Sequence, residues 1–176
     1  MGMTRRIAPA AIAALLVAVA PLTAACGSDD PAPSRLTVGD LPQATSSIEY
    51  TYAGPAVPPP GHHEYLVRTA GSRATAIVGG YGVAKGDAPA DATTTSTDVS
   101  SVQWGQLVEG LSALDDLPPA PTGCVGGSTY GVHVLADGRA VLDRSDVACG
   151  PTAAEVSAAY HAALAPISDR LGLPAS

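Results

Sequence analysis

Phenylalanine is absent from this chain, and lysine occurs once, at Lys85. Without Phe, an aromatic core has to come from 6 tyrosines and 1 tryptophan. Such a core carries hydroxyl groups that need partners once buried. Charge is sparse as well: Asp, Glu, Lys and Arg make up 14% of the residues, and acids outnumber Lys plus Arg by 16 to 9. A formal charge of −7 argues against nucleic acid as a partner and against electrostatic docking on anionic lipid. The 3 cysteines include no C-x-x-C pair, so a cysteine-based zinc site has no support. Abundant instead are Ala, Val, Gly and Pro, with 19 Gly and 16 Pro, a composition that predicts a core of small residues.

One long apolar run is present, at the N-terminus. Arg5 and Arg6 precede an uncharged run from Ile7 to Leu22, broken by Pro9 and Pro21. Thr23-Ala24-Ala25 then places small residues before Cys26. That order is the order of a secretory signal peptide. Spanning a bilayer takes roughly 20 apolar residues, and this interrupted run fits a cleaved signal better than a permanent span. Leu22-Thr23-Ala24-Ala25-Cys26 resembles the bacterial lipobox. The resemblance implies cleavage before Cys26 and a diacylglycerol on its sulfur, anchoring the chain by about 0.8 kcal/mol per buried CH₂. The expected location is the extracytoplasmic face of the cell membrane.

Three segments follow. Residues 1–25 are read as the signal peptide. Residues 26–45 are a flexible tether, polar and rich in Pro, Asp and Ser. Residues 46–176 are long enough for a single domain. Loss of Arg5 and Arg6 takes the formal charge from −7 to −9.

Within the domain, Ile48, Tyr50 and Tyr52 alternate with Ser47, Glu49 and Thr51, the pattern of a half-buried strand. A second strand spans Glu64 to Ala70, with Tyr65 and Val67 on one face. Gly71-Ser72 suits a two-residue hairpin turn into a third strand at Arg73 to Val78. Val83 to Thr97 reads as an exposed loop with an edge strand at its end. Ser100 and Gln103 match a capping box, and Trp104, Leu107, Val108 and Leu111 give the following helix one apolar face. Gly105 and Gly110 weaken that helix. Tyr130, Val132 and Val134 lead into an Asp137-Gly138 turn, from which Ala140 to Ala148 returns, with Val134 expected to face Val141 and His133 to face Leu142. Thr152 and Glu155 match a second capping box. Val156, Tyr160, Ala163, Leu164, Ile167 and Leu171 form the apolar face of a last helix, which Pro166 should kink or end early. The predicted fold is α+β: an antiparallel sheet of about five to six strands with two helices packed on one face.

Candidate chemistry is thin. In His62-His63-Glu64, two imidazoles and a carboxylate could bind a metal, but strand alternation lets only His62 and Glu64 share a side, and no third ligand is evident. The plain alternative is an exposed polar strand start. Ser128, His133 and Asp137 or Asp143 could be drawn as a hydrolase triad, but Ser128 and His133 fall on opposite faces of one strand, and no nucleophile elbow is present. Gly79 to Gly82 and Gly123 to Gly127 lack the helix start or lysine of a phosphate cradle. Tyr50, Tyr52, Tyr65, Tyr81 and Tyr130 all fall in or beside predicted strands and form either a recognition surface or a core that replaces the missing Phe. The binding candidates are therefore Tyr50, Tyr52, His62, Glu64 and Tyr65, with no catalytic set, no metal set and no cofactor. Cys124 and Cys149 remain beside Cys26, an even pair that in an oxidising compartment reads as one disulfide.

Tyr50-Thr51-Tyr52, Val57-Pro58-Pro59-Pro60-Gly61-His62-His63-Glu64-Tyr65, the Trp104 helix and Gly123-Cys124-Val125-Gly126-Gly127 with Cys149-Gly150 resemble a group of uncharacterised small secreted lipoproteins of actinobacteria. The resemblance implies a disulfide-bonded envelope domain and transfers no activity. The function expected is a non-enzymatic binding or interaction module, attached to the membrane through Cys26 and meeting an envelope protein partner. A small-ligand or metal-binding lipoprotein is the second reading, and an envelope enzyme the third. Membrane fractionation tests the anchor: Cys26→Ser should release the protein from membranes or block its processing, and unchanged retention with normal processing would overturn it.

Overall fold

The computed structural model describes residues 37–118 and 126–174. Six strands form one antiparallel sheet: β1 Ser46–Ala53, β2 Glu64–Ala70, β3 Arg73–Gly79, β4 Thr93–Asp98, β5 Ser128–Ala136 and β6 Arg139–Ala148. Their spatial order is β4-β3-β2-β1-β5-β6, so β1 lies inside the sheet between β2 and β5. Helices α1 (Ser101–Asp115) and α2 (Ala153–Leu171) complete the α+β fold.

One face of the sheet makes the core. Ile48, Tyr50 and Tyr52 of β1 are buried in strict alternation. They join Tyr65 and Val67, Tyr130 to Ala136 at every second position, Trp104, Leu107 and Leu111 of α1, and Tyr160 and Ile167 of α2 in a single cluster. Leu66 and Val83 are also buried, at 2% and 0% exposure, but lie outside that cluster. The segment after β3, expected to be an exposed loop, turns through a short 3-10 helix at Val83–Lys85 and packs on β1, β2 and β3. Burying Val83 against the strands is what holds it there.

Four other expectations are corrected. The domain begins before Ser46. Val38 and Leu41 are buried, the Trp104 indole N–H donates to the Leu41 carbonyl at 2.9 Å, and the Gln43 side-chain amide donates to Gly71 and Val99. A flexible tether therefore cannot extend as far as residue 45. In the last hairpin, Asp137 and Gly138 have the positive φ of a type I′ turn, and Ala136 faces Arg139 as expected. A bulge between Val134 and Leu135 then shifts the ladder, so Val134 faces Leu142 and His133 faces Asp143. The shift puts Leu142 in the core and turns Asp146 inward, which the unshifted register would not do. Thr152 makes no side-chain cap, because a 3-10 turn at Gly150–Thr152 already leads into α2. Finally, α2 runs through Pro166 to Leu171. The carbonyl that Pro166 leaves without a helical donor belongs to the exposed Ala162, where water can serve, while Ile167 and Leu171 hold the far end in the core.

The Ser100 capping box of α1 is present on both sides, Ser100 with the Gln103 N–H and Gln103 with the Ser100 N–H. Cys149, directly after β6, is disulfide-bonded. Cys26 and Cys124 lie outside the described residues, and with them the partner of that bond.

The two glycines of α1 differ. A Cβ on Gly110 would meet the Ala163 Cα at 2.6 Å, whereas one on Gly105 would meet nothing within 4 Å. Gly110 is thus the point where α1 and α2 touch backbone to backbone. Thermal unfolding should find Gly105→Ala more stable by about 1 kcal/mol. Gly110→Ala should be less stable by about 1–3 kcal/mol, because the helices are forced apart.

Candidate functional site

Pro58, Pro59 and Pro60 cannot join a ladder, so the chain between β1 and β2 leaves the sheet and returns at His62. Gly54 N–H bonds to the His63 carbonyl at 3.0 Å and closes that excursion. From His62 onward the alternation of β2 puts His62, Glu64 and Leu66 on the face away from the helices. The 80–87 segment covers these residues, leaving His62 7% and Glu64 6% exposed. The exposed polar strand start considered from sequence is therefore absent.

His62 Nε2 meets Glu64 Oε1 at 2.9 Å. His62 Nδ1 donates to the Pro55 carbonyl at 2.8 Å. Glu64 Oε2 accepts from the backbone N–H of Gly82 at 3.0 Å and of Ala84 at 2.8 Å. Gly82 has φ of 99°, and a Cβ there would meet the Asp87 carboxylate at 2.6 Å, so only glycine can aim this N–H at Glu64. Since the Pro55 carbonyl can only accept, Nδ1 carries a proton, and the Nε2–Oε1 bond holds a further one. All four polar side-chain atoms of the pair are thus engaged by protein groups. Both imidazole nitrogens are thereby taken, and among the described residues no three His, Cys, Asp or Glu side chains converge on one point.

Tyr81 lies flat on His62, with ring centroids 3.6 Å apart and planes within 6°. Its hydroxyl donates to the Val57 carbonyl at 2.9 Å. Tyr81 is nevertheless 51% exposed. It forms a wall of a cleft of about 510 Å³, together with Pro59, Pro60, His63, Val78, Pro89 and Asp91. From sequence Tyr81 was grouped with Tyr50, Tyr52, Tyr65 and Tyr130 as a recognition surface or a core, and of these five it alone is exposed. The two prolines and the histidine of the opposite strand start were visible, but nothing local brings them to Tyr81.

Tyr50, Tyr52 and Tyr65 are placed in the core, each at most 3% exposed. With Tyr130 and Tyr160 they close a ring of aromatic contacts. Centroid distances run 6.0 Å from Tyr50 to Tyr65, 4.8 Å to Tyr52, 5.1 Å to Tyr130, 4.9 Å to Tyr160 and 5.8 Å back to Tyr50. Each such contact is worth about 0.5–1.5 kcal/mol beyond buried area. The hydroxyls leave at the rim: Tyr52 to Ser128 at 3.3 Å, Tyr130 to Ser157 at 2.9 Å, and Tyr160 donating to Asp146 at 2.8 Å. Burial raises the Tyr50, Tyr65 and Tyr160 phenols well above their ordinary value, so all three stay protonated.

Asp146 is 3% exposed and paired with Arg144, whose guanidinium also donates to the Leu117 carbonyl at 2.9 Å. The hydrogen bond to Asp146 raises the Arg144 guanidinium further. This group was missed from sequence, although Arg-x-Asp on a strand places both charges on one side. A second cleft, of about 690 Å³, runs along α2 past Tyr65, Ser157, His161 and Asp169, and burial pushes the His161 imidazole below its ordinary value. Ser128 and His133 are not brought together: Ser128 meets Tyr52, and His133 lies opposite Glu49 and Asp143 on neighbouring strands. Comparison with protein-family models, with curated proteins and with solved structures finds no match for this chain.

Within the ring the Tyr50 hydroxyl is buried without a hydrogen bond of good geometry, its one polar neighbour being the Tyr65 hydroxyl. Denaturant unfolding should therefore show Tyr50→Phe more stable by about 1 kcal/mol. Tyr160→Phe, which takes a donor from buried Asp146, should be less stable by about 1–3 kcal/mol.

Proposed function

We propose that this chain is a membrane-anchored envelope lipoprotein, tethered through Cys26, whose folded domain is a non-enzymatic binding module with the Tyr81 cleft as its site. One observation carries the choice of site. Tyr81 is half exposed, yet fixed on two sides, by the stack on His62 and by the hydroxyl bond to Val57. An exposed aromatic ring held in one orientation adds contact area to a ligand without losing side-chain entropy on binding. A cleft of about 510 Å³ falls within the size range of small-ligand sites.

The binding reading is preferred to an enzyme on the chemistry of the dyad. His62 lines the cleft, but its two nitrogens and both Glu64 oxygens are engaged within the protein. Proton transfer to a substrate would require breaking those bonds. Burial of Tyr50, Tyr52, Tyr65 and Tyr130 leaves only Tyr81 of the strand tyrosines at the surface, which favours a ligand in the cleft over a partner on a tyrosine-rich flat face.

Photo-crosslinking in intact cells tests the site. Pro89→p-benzoylphenylalanine should give an adduct of one defined mass on irradiation, lost when Tyr81→Ala is added. No adduct at Pro89, or one that persists with Tyr81→Ala, would overturn the assignment.

A further inference from the structure

The geometry points to a small organic cation, an alkylammonium or quaternary ammonium group on a short neck, as the ligand of the Tyr81 cleft. This rests on the binding reading above and adds the chemical class. The cleft is lined by the Tyr81 ring, by the apolar side chains of Pro59, Pro60, Pro89 and Val78, and by one carboxylate, Asp91. The electron-rich face of a fixed tyrosine attracts a cation, and a nearby carboxylate adds to the same field. Asp91 is exposed and makes no ion pair with any described residue. The cleft lining contains no Lys or Arg to compete with a bound cation. Its other titratable residues are His62, whose Nε2 is held by the Glu64 carboxylate, and His63, which leans on Tyr52 with ring centroids 5.4 Å apart. At longer range a formal charge of −7 on the whole chain favours approach of cations over anions.

An anionic ligand would meet the Asp91 carboxylate with no Lys or Arg on the walls to offset it. A neutral apolar ligand would fill the walls but gain nothing from Asp91. The cation is the ligand that uses every surface of the cleft.

The test uses the full chain in a maltoside detergent, which carries no ammonium group. Choline and its uncharged isostere 3,3-dimethylbutanol are titrated by NMR. Choline should bind about tenfold more tightly than the isostere, a difference in the range of a cation on an aromatic face. Asp91→Asn should erase most of that preference, and its exposure makes it safe for folding. Tyr81→Leu should weaken choline binding about tenfold, and Tyr81→Phe, which keeps the ring, should not. Equal binding of choline and the isostere would overturn the cation assignment while leaving a ligand-binding cleft in place. No choline binding at all would overturn it too, and the Pro89 crosslink would then decide separately whether the cleft binds anything.

Discussion

A carboxylate taken out of water has to be surrounded by donors or lose its charge, and Glu64 is such a group. It begins β2, with 6% of its surface left to solvent. Its donors come from two separate loops, which the pairing of Glu64 with Gly79 sets side by side. His62 arrives from the proline-rich excursion, and the N–H groups of Gly82 and Ala84 arrive from the turn after β3. Satisfying one side chain therefore joins the two loops that flank the cleft. Tyr81 directly precedes Gly82 in the chain, so it is carried onto His62 as a result. Charge-assisted hydrogen bonds are shorter and stronger than neutral ones, which suits them to holding a rim in one shape.

The helix-facing side of the sheet solves a different problem, that of an aromatic core made without phenylalanine. Tyrosines stack as well as phenylalanines do, but each brings a hydroxyl. Tyr52, Tyr130 and Tyr160 lie toward the margin of the ring and reach Ser128, Ser157 and Asp146. Asp146 is there to be reached because the bulge in β5–β6 turns it inward, and Arg144 on the same side balances its charge. The bulge, the inward acid and the tyrosine on α2 thus form one dependent set. Core composition and backbone irregularity are linked through hydrogen-bond satisfaction.

The strands and helices were largely legible in sequence because their signals are local. Alternation at Ile48, Tyr50 and Tyr52 needs only the period of a strand, and the Ser100–Gln103 box needs only the orphan donors of a helix start. The same period placed His62 and Glu64 on one side, where they are found bonded. What was not legible depends on distant contacts. Burial of His62 requires the 80–87 segment to fold back, which turns on Val83 and on the left-handed Gly82. Thr152 and Glu155 had the residues of a cap, but the 3-10 turn before them decided otherwise. The register of the last hairpin was read correctly at its turn and wrongly beyond it, because the gain from burying Leu142 and Asp146 is tertiary.

The docked lead-in from Val38 to Gln43 has a mechanical consequence. A pull on the chain from the N-terminal side reaches the domain first at Val38, Leu41 and the Trp104–Leu41 hydrogen bond, and next at Gln43, which grips Gly71 and Val99 from the β2–β3 turn and the α1 entry. Only after those attachments give way does load reach β1, which is flanked by a neighbour on each side. The segment works as a strain relief, like the sleeve where a cable enters its housing, so that tension from the N-terminal side is spent on the lead-in before it can distort the sheet that shapes the cleft.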